Sequence, residues 1–177
     1  MMTGIGRPFL GGGPNRSGGG WEVALDMLVR LYDLGDPAPL LEKLAGQGIG
    51  IRRALAREEA SLVSWVGRVF SSGWASECRI SMSRIPPTCY VATREELFLG
   101  FSCFETAYRG FLGPMGVLES ERGKGIGTAL LLCSLRDMAH LGYRYAIIGE
   151  VGPTAFYEKA VGAMSIAGSE KRPLHWI

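Results

Sequence analysis

Several things are missing from this 177-residue chain, and each absence narrows what it can be. No run of about 18 apolar residues occurs, so no membrane-spanning helix is expected. No long basic run occurs either. Lys+Arg number 19 against 17 Asp+Glu, and a net charge of +2 leaves no electrostatic footprint for nucleic acid. There is no C-x-x-C pair among Cys78, Cys89, Cys103 and Cys133, and neither of the two histidines stands at ligand spacing to them. No metal is therefore expected. No charged segment followed by an apolar stretch opens the chain. Reduced thiols filling a core in the cytoplasm are the expectation. Internal repeats are absent.

What is present is enough apolar material for one domain: 47% hydrophobic residues and 10% aromatic. Residues 1–20 are dominated by glycine, a composition too poor in apolar surface to offset its ordering entropy, and read as a disordered tail. Residues 21–47 read as an N-terminal extension packed on the domain. They hold a weak strand pattern, then Asp36-Pro37 opening a short helix that Gly46 stops. The domain proper is placed at 48–177. It begins with a short strand over 48–54, a helix over 57–70 and another over 74–84.

The period then changes. Residues 88–93, 97–108 and 111–118 are β-rich and joined by short turns, which predicts an antiparallel meander. A Gly-rich loop over 119–127 leads into a helix over 128–141. Leu131, Leu135 and Met138 form its apolar stripe, with Arg136, Asp137 and His140 on the wet side. Strand 145–148, helix 154–161, a strand over 163–167 and an edge strand over 173–177 complete the chain. The crossover through helix 128–141 makes its flanking strands parallel if they share a sheet. The fold class is α+β: a mixed, mostly antiparallel sheet flanked by helices.

The loop Arg122-Gly123-Lys124-Gly125-Ile126-Gly127-Thr128 carries the chemistry. Glycines at alternate positions let successive N–H groups converge, and the following helix N-terminus adds free donors and partial positive charge. Arg122 and Lys124 add full charges. Such a loop suits a phosphate or pyrophosphate. Neither the P-loop pattern nor the dinucleotide fingerprint fits its spacing.

Here the sequence resembles the GNAT superfamily of acetyl-CoA-dependent N-acetyltransferases. That family's R/Q-x-x-G-x-G/A motif is met by Arg122, Gly125 and Gly127, and Phe156, Tyr157 and Lys159 match a second, downstream motif. Glu150 and Pro153 stand where that motif usually has Asn and Ala. The resemblance implies a V-shaped splay between two strands that holds acyl-CoA, and a co-substrate, acetyl-CoA, with no metal. It implies contacts from Met115, Gly116 and Val117 to the pantetheine arm, from Arg122 through Thr128 to the pyrophosphate, and from Phe156 and Lys159. Tyr157 matches the general acid. Pro114 is expected to mark the bulge that opens the splay. The strand before the loop carries no carboxylate, so Glu105 and Glu150 are the candidate bases. Trp74 and Glu77 are candidates for walling the acceptor pocket and attracting an ammonium. The implied acceptor is a small-molecule amine, ahead of a protein lysine or N-terminus. A catalytically silent acyl-CoA-binding module is the remaining alternative, and a homodimer is allowed.

Overall fold

The computed structural model describes residues 25–170. The expected tail over 1–20 and edge strand over 173–177 lie outside them. Twelve regular elements follow in order: β1 (Leu25–Arg30), α1 (Ala38–Ala45), β2 (Ile49–Arg53), α2 (Glu59–Val69), α3 (Ser72–Met82), β3 (Cys89–Arg94), β4 (Leu97–Phe104), β5 (Phe111–Val117), α4 (Ile126–His140), β6 (Tyr145–Val151), α5 (Thr154–Val161) and β7 (Met164–Ser165). The strands form one seven-stranded sheet in the order β2-β3-β4-β5-β6-β1-β7. All pairs are antiparallel except β5 with β6, the two strands flanking the α4 crossover. The sheet is therefore the mixed one expected. No helix among the described residues is long and apolar enough to cross a membrane.

The N-terminal segment enters the sheet. β1 pairs with β6 on one edge and β7 on the other. Part of the 21–47 segment is thus built into the sheet, where its alternation buries Met27 and Val29, and is not a layer packed upon it.

Helices cover both faces. α4 lies across the sheet centre and buries Ile126, Ala129, Leu130, Leu131, Leu132, Leu135 and Met138, a wider face than a single stripe. Its C-terminal half shares a core with Met27, Val29, Phe104, Leu112 and Tyr157, and its N-terminal half packs with Leu44, Ile49 and Leu99. On the opposite face α2 and α3 bury Leu62, Val63, Val66, Cys78 and Met82 against Val91, Phe101 and Cys103. Each large aliphatic side chain so buried contributes ~1.5–3 kcal/mol.

α3 begins at Ser72, two residues before its expected start, because the Ser71 side chain accepts a hydrogen bond from the Trp74 N–H at 3.1 Å and caps the first turn. Asp137 is not on the wet side of α4. Its carboxylate accepts hydrogen bonds from the Tyr90 hydroxyl at 2.8 Å and from the Arg53 guanidinium, locking α4 to β2 and β3. Burial first, then this bond to Asp137, raises the Tyr90 pKa.

Candidate active site

The site starts where two neighbouring strands part. β5 pairs with β6 only at Phe111–Ile147 and Leu112–Ile148. Immediately beyond, the β4–β5 ladder is irregular: Ser102 faces Met115 and Phe104 faces Leu112, so Gly113 and Pro114 together oppose the single residue Cys103. This is the bulge expected at Pro114. From there β5 follows β4 alone and leaves an open edge. The Leu118 N–H bonds to the Leu99 carbonyl at 2.8 Å. By the alternation of an antiparallel ladder, Gly116 also turns its polar groups to β4, whereas Met115 and Val117 present theirs to the gap.

At the wide end of the gap stands the N-terminus of α4. Helix begins at Ile126, two residues before its expected start, after Gly125 at φ +97°. The first intrahelical bond runs from the Ala129 N–H to the Gly125 carbonyl at 3.0 Å. Ile126, Gly127 and Thr128 therefore belong to the helix's first turn, and their N–H groups precede any intrahelical acceptor. The Ile126 side chain points into the core and anchors the turn. Gly123 is at φ +77°, so both loop glycines adopt backbone angles that side chains resist.

The two cations of this loop differ. Arg122 is exposed, and its Nε lies 3.4 Å from the Val117 carbonyl. Lys124 is paired with Glu121 at 2.8 Å, and Glu121 also accepts from Arg94 at 3.0 Å. Arg94 first and Lys124 second hold the Glu121 carboxyl down to about 2. Lys124 thus brings less net positive charge than its side chain alone suggests.

Three apolar side chains shape the walls, and local sequence gives no sign of two of them. Phe156 of α5 lies beside Gly127, where a Cβ would come to 3.5 Å from its ring. Leu40 of α1 covers Gly125, and a Cβ there would meet its Cδ1 at 2.8 Å. Phe70 covers Gly116 so closely that a Cβ would fall 2.6 Å from the ring.

Tyr157 is buried next to Phe156, with ring centroids 4.9 Å apart. Burial raises its pKa to about 12, so it is a neutral O–H donor at pH 7. Lys159 is on the exposed side of the same helix.

The four other predicted side chains separate into two groups. Glu77 of α3 reaches the bulge: the Thr106 hydroxyl lies 3.1 Å from its carboxylate and 2.8 Å from the Gly113 carbonyl. Glu150 follows Ile148, the last β6 residue paired with β5, by two positions, so its backbone flanks the gap. Its φ is +49°, and its N–H bonds to Asp26 at 3.0 Å. Glu105 lies before the paired start of β5, and its carboxylate is held by the Tyr143 hydroxyl. The gap opens at the other end of that strand. Trp74 stacks with Phe70 at 5.4 Å and with Phe101 at 6.0 Å, so its ring is committed to the core under α2 and α3. Phe70, which shares that stack, is the aromatic that touches β5.

A mixed sheet split between two parallel strands, with a bare helix N-terminus at the open end, is the architecture of an acyl-CoA-dependent acyltransferase. The profile of the acetyltransferase (GNAT) family matches residues 59–163, more than half of the chain. This chain belongs to that family, whose acyl donor is acetyl-CoA.

Solved structures agree on the fold. A GCN5-related glucosamine N-acetyltransferase region of a fungal multi-domain GH3 β-N-acetylglucosaminidase superposes with a TM-score of 0.66 at 16% identity, over 81% of this chain and 20% of that one. A GCN5-related N-acetyltransferase from Sphaerobacter thermophilus gives 0.61 at 21% identity, over 80% and 48%. One from Kribbella flavida gives 0.50 at 14%, over 80% and 54%. The chain thus spans about half or less of the length of these structures. A comparison with curated proteins finds no match.

Proposed function

We propose that this chain transfers the acetyl group of acetyl-CoA to the primary amine of a small molecule. The residues at hand fit the donor. Three first-turn N–H groups, a Gly125 without a side chain and the exposed Arg122 suit a pyrophosphate. The gap-facing backbone groups of Met115 and Val117 suit the amides of a pantetheine arm. When bound, acetyl-CoA supplies a thioester carbonyl open to attack by an amine.

The observation that carries the small-amine reading is Glu77. It is a half-buried carboxylate anchored by Thr106 beside the bulge. An amine with a pKa of about 10.4 arrives at pH 7 as an ammonium ion. Glu77 attracts that ion and orients it, and one of its oxygens can take the proton that must leave before attack. In this reading the neutral Tyr157 O–H gives a proton to the departing thiolate. A half-buried carboxylate suits a compact ammonium group, whereas a peptide acceptor calls for a longer acidic lining.

The test is release of free CoA thiol with a panel of small primary amines and a panel of lysine and N-terminal peptides. Small amines should react, and Glu77→Gln should raise their KM about tenfold or more with the KM for acetyl-CoA unchanged. Turnover of peptides in preference to every small amine would overturn the acceptor assignment.

A further inference from the structure

Three thiols that are far apart in sequence meet in the core. Cys78 comes from α3, Cys89 from β3 and Cys103 from β4. Cys89 and Cys103 are directly opposed across the two strands, with their sulfurs 3.6 Å apart. All three sulfurs lie within 4.8 Å of one another. Ser81, one turn along α3 from Cys78, puts its hydroxyl 3.2 Å from the Cys103 sulfur.

We propose that Cys78, Cys89 and Cys103 form a binding site for a soft monovalent metal ion of the copper(I) class. The spacing fits such an ion. With metal–sulfur bonds of about 2.3 Å, three sulfurs around one centre stand about 3.8–4.0 Å apart in tetrahedral or trigonal geometry. The Cys89–Cys103 separation of 3.6 Å lies just short of that range and all three sulfurs fall within 4.8 Å, so small side-chain rotations suffice. The ligand set is all sulfur, which selects soft ions over magnesium or calcium. Three ligands suit the trigonal shell of copper(I), whereas a structural zinc ion takes four. Each thiol that ligates loses its proton to solvent.

The site would tie α3 to two strands of the sheet. Cys78 follows Glu77 directly, so the metal would hold the acceptor carboxylate in place. That consequence rests on the function proposed above, but metal binding itself does not, and it is measured separately.

The test is anaerobic titration of the reduced full chain with copper(I) against a bathocuproine competitor. One ion per chain should be retained, with a sulfur-only shell near 2.3 Å by X-ray absorption. Cys89→Ala and Cys103→Ala should each weaken retention roughly 100-fold, and Cys133→Ala should not. A thermal melt of each variant identifies those that remain folded, and one folded variant of the two is sufficient. Loss of all copper to the competitor, retention unchanged in a folded Cys89 or Cys103 variant, or retention that follows Cys133 would overturn the site and leave the three thiols as core filling.

Discussion

Gly125→Ala isolates the backbone's share of the donor site. Gly125 precedes α4 at φ +97° and ψ 0°. An L-residue in this left-handed region costs about 1–2 kcal/mol. The new Cβ would also lie 2.8 Å from Leu40 Cδ1. That atom is the tip of a flexible side chain and can rotate away, so the backbone angle dominates the cost. Two outcomes share the 1–2 kcal/mol: a lower melting temperature, or a loop that relaxes and must be re-formed by the ligand. In the second case CoA binding falls about 5- to 30-fold. Calorimetric titration with CoA and a thermal melt, taken together, measure the sum. Adding Leu40→Ala distinguishes the two causes, because it removes the clash but leaves φ unchanged. The double variant should recover little. Full recovery would show that Leu40 and not the backbone sets the requirement for glycine. A Gly125→Ala protein with unchanged stability and CoA affinity would refute the reasoning altogether.

Tyr157→Phe keeps the packing against Phe156 and removes the O–H, so kcat should fall roughly 10²–10⁴-fold with CoA affinity near wild type. Full activity in that variant would reduce Tyr157 to a packing residue. Because its pKa is raised to about 12, the folded protein keeps this proton at pH values where the unfolded chain releases it. Its contribution to stability is complete below about pH 10 and is lost as pH rises toward 12, which alkaline denaturation of wild type and Tyr157→Phe should show. Arg122→Ala should weaken CoA about tenfold or more, and Lys124→Ala about threefold at most, because Glu121 already offsets the lysine; equal losses would contradict that offset. Asp137→Ala removes the partner of both Arg53 and Tyr90 and should cost about 2–3 kcal/mol in urea denaturation, with a change under 0.5 kcal/mol, the size of an ordinary surface substitution, counting against the lock.

Local chemistry alone determined a good part of this protein. Gly-x-Gly-x-Gly before an amphipathic run specifies a loop and a helix start because only glycine accepts those angles cheaply. β-rich runs joined by short turns specified the meander, and Pro114 pointed to the bulge, since a residue with no N–H interrupts a ladder. The parallel pairing of β5 with β6 followed from the length of the crossover between them. Tertiary structure decided the rest, through contacts between residues distant in sequence. The insertion of β1 between β6 and β7 depends on which strand edges remain open after the meander has formed. Asp137 reads as a solvated helix residue until β2 and β3 bring Arg53 and Tyr90 to it. Glu105 reads as a candidate base and Glu77 as a candidate for the acceptor ammonium, and the fold gives the first to Tyr143 while Thr106 sets the second beside Gly113. The thiols of Cys78, Cys89 and Cys103, spaced unlike any local metal motif, converge only because one helix packs across two paired strands.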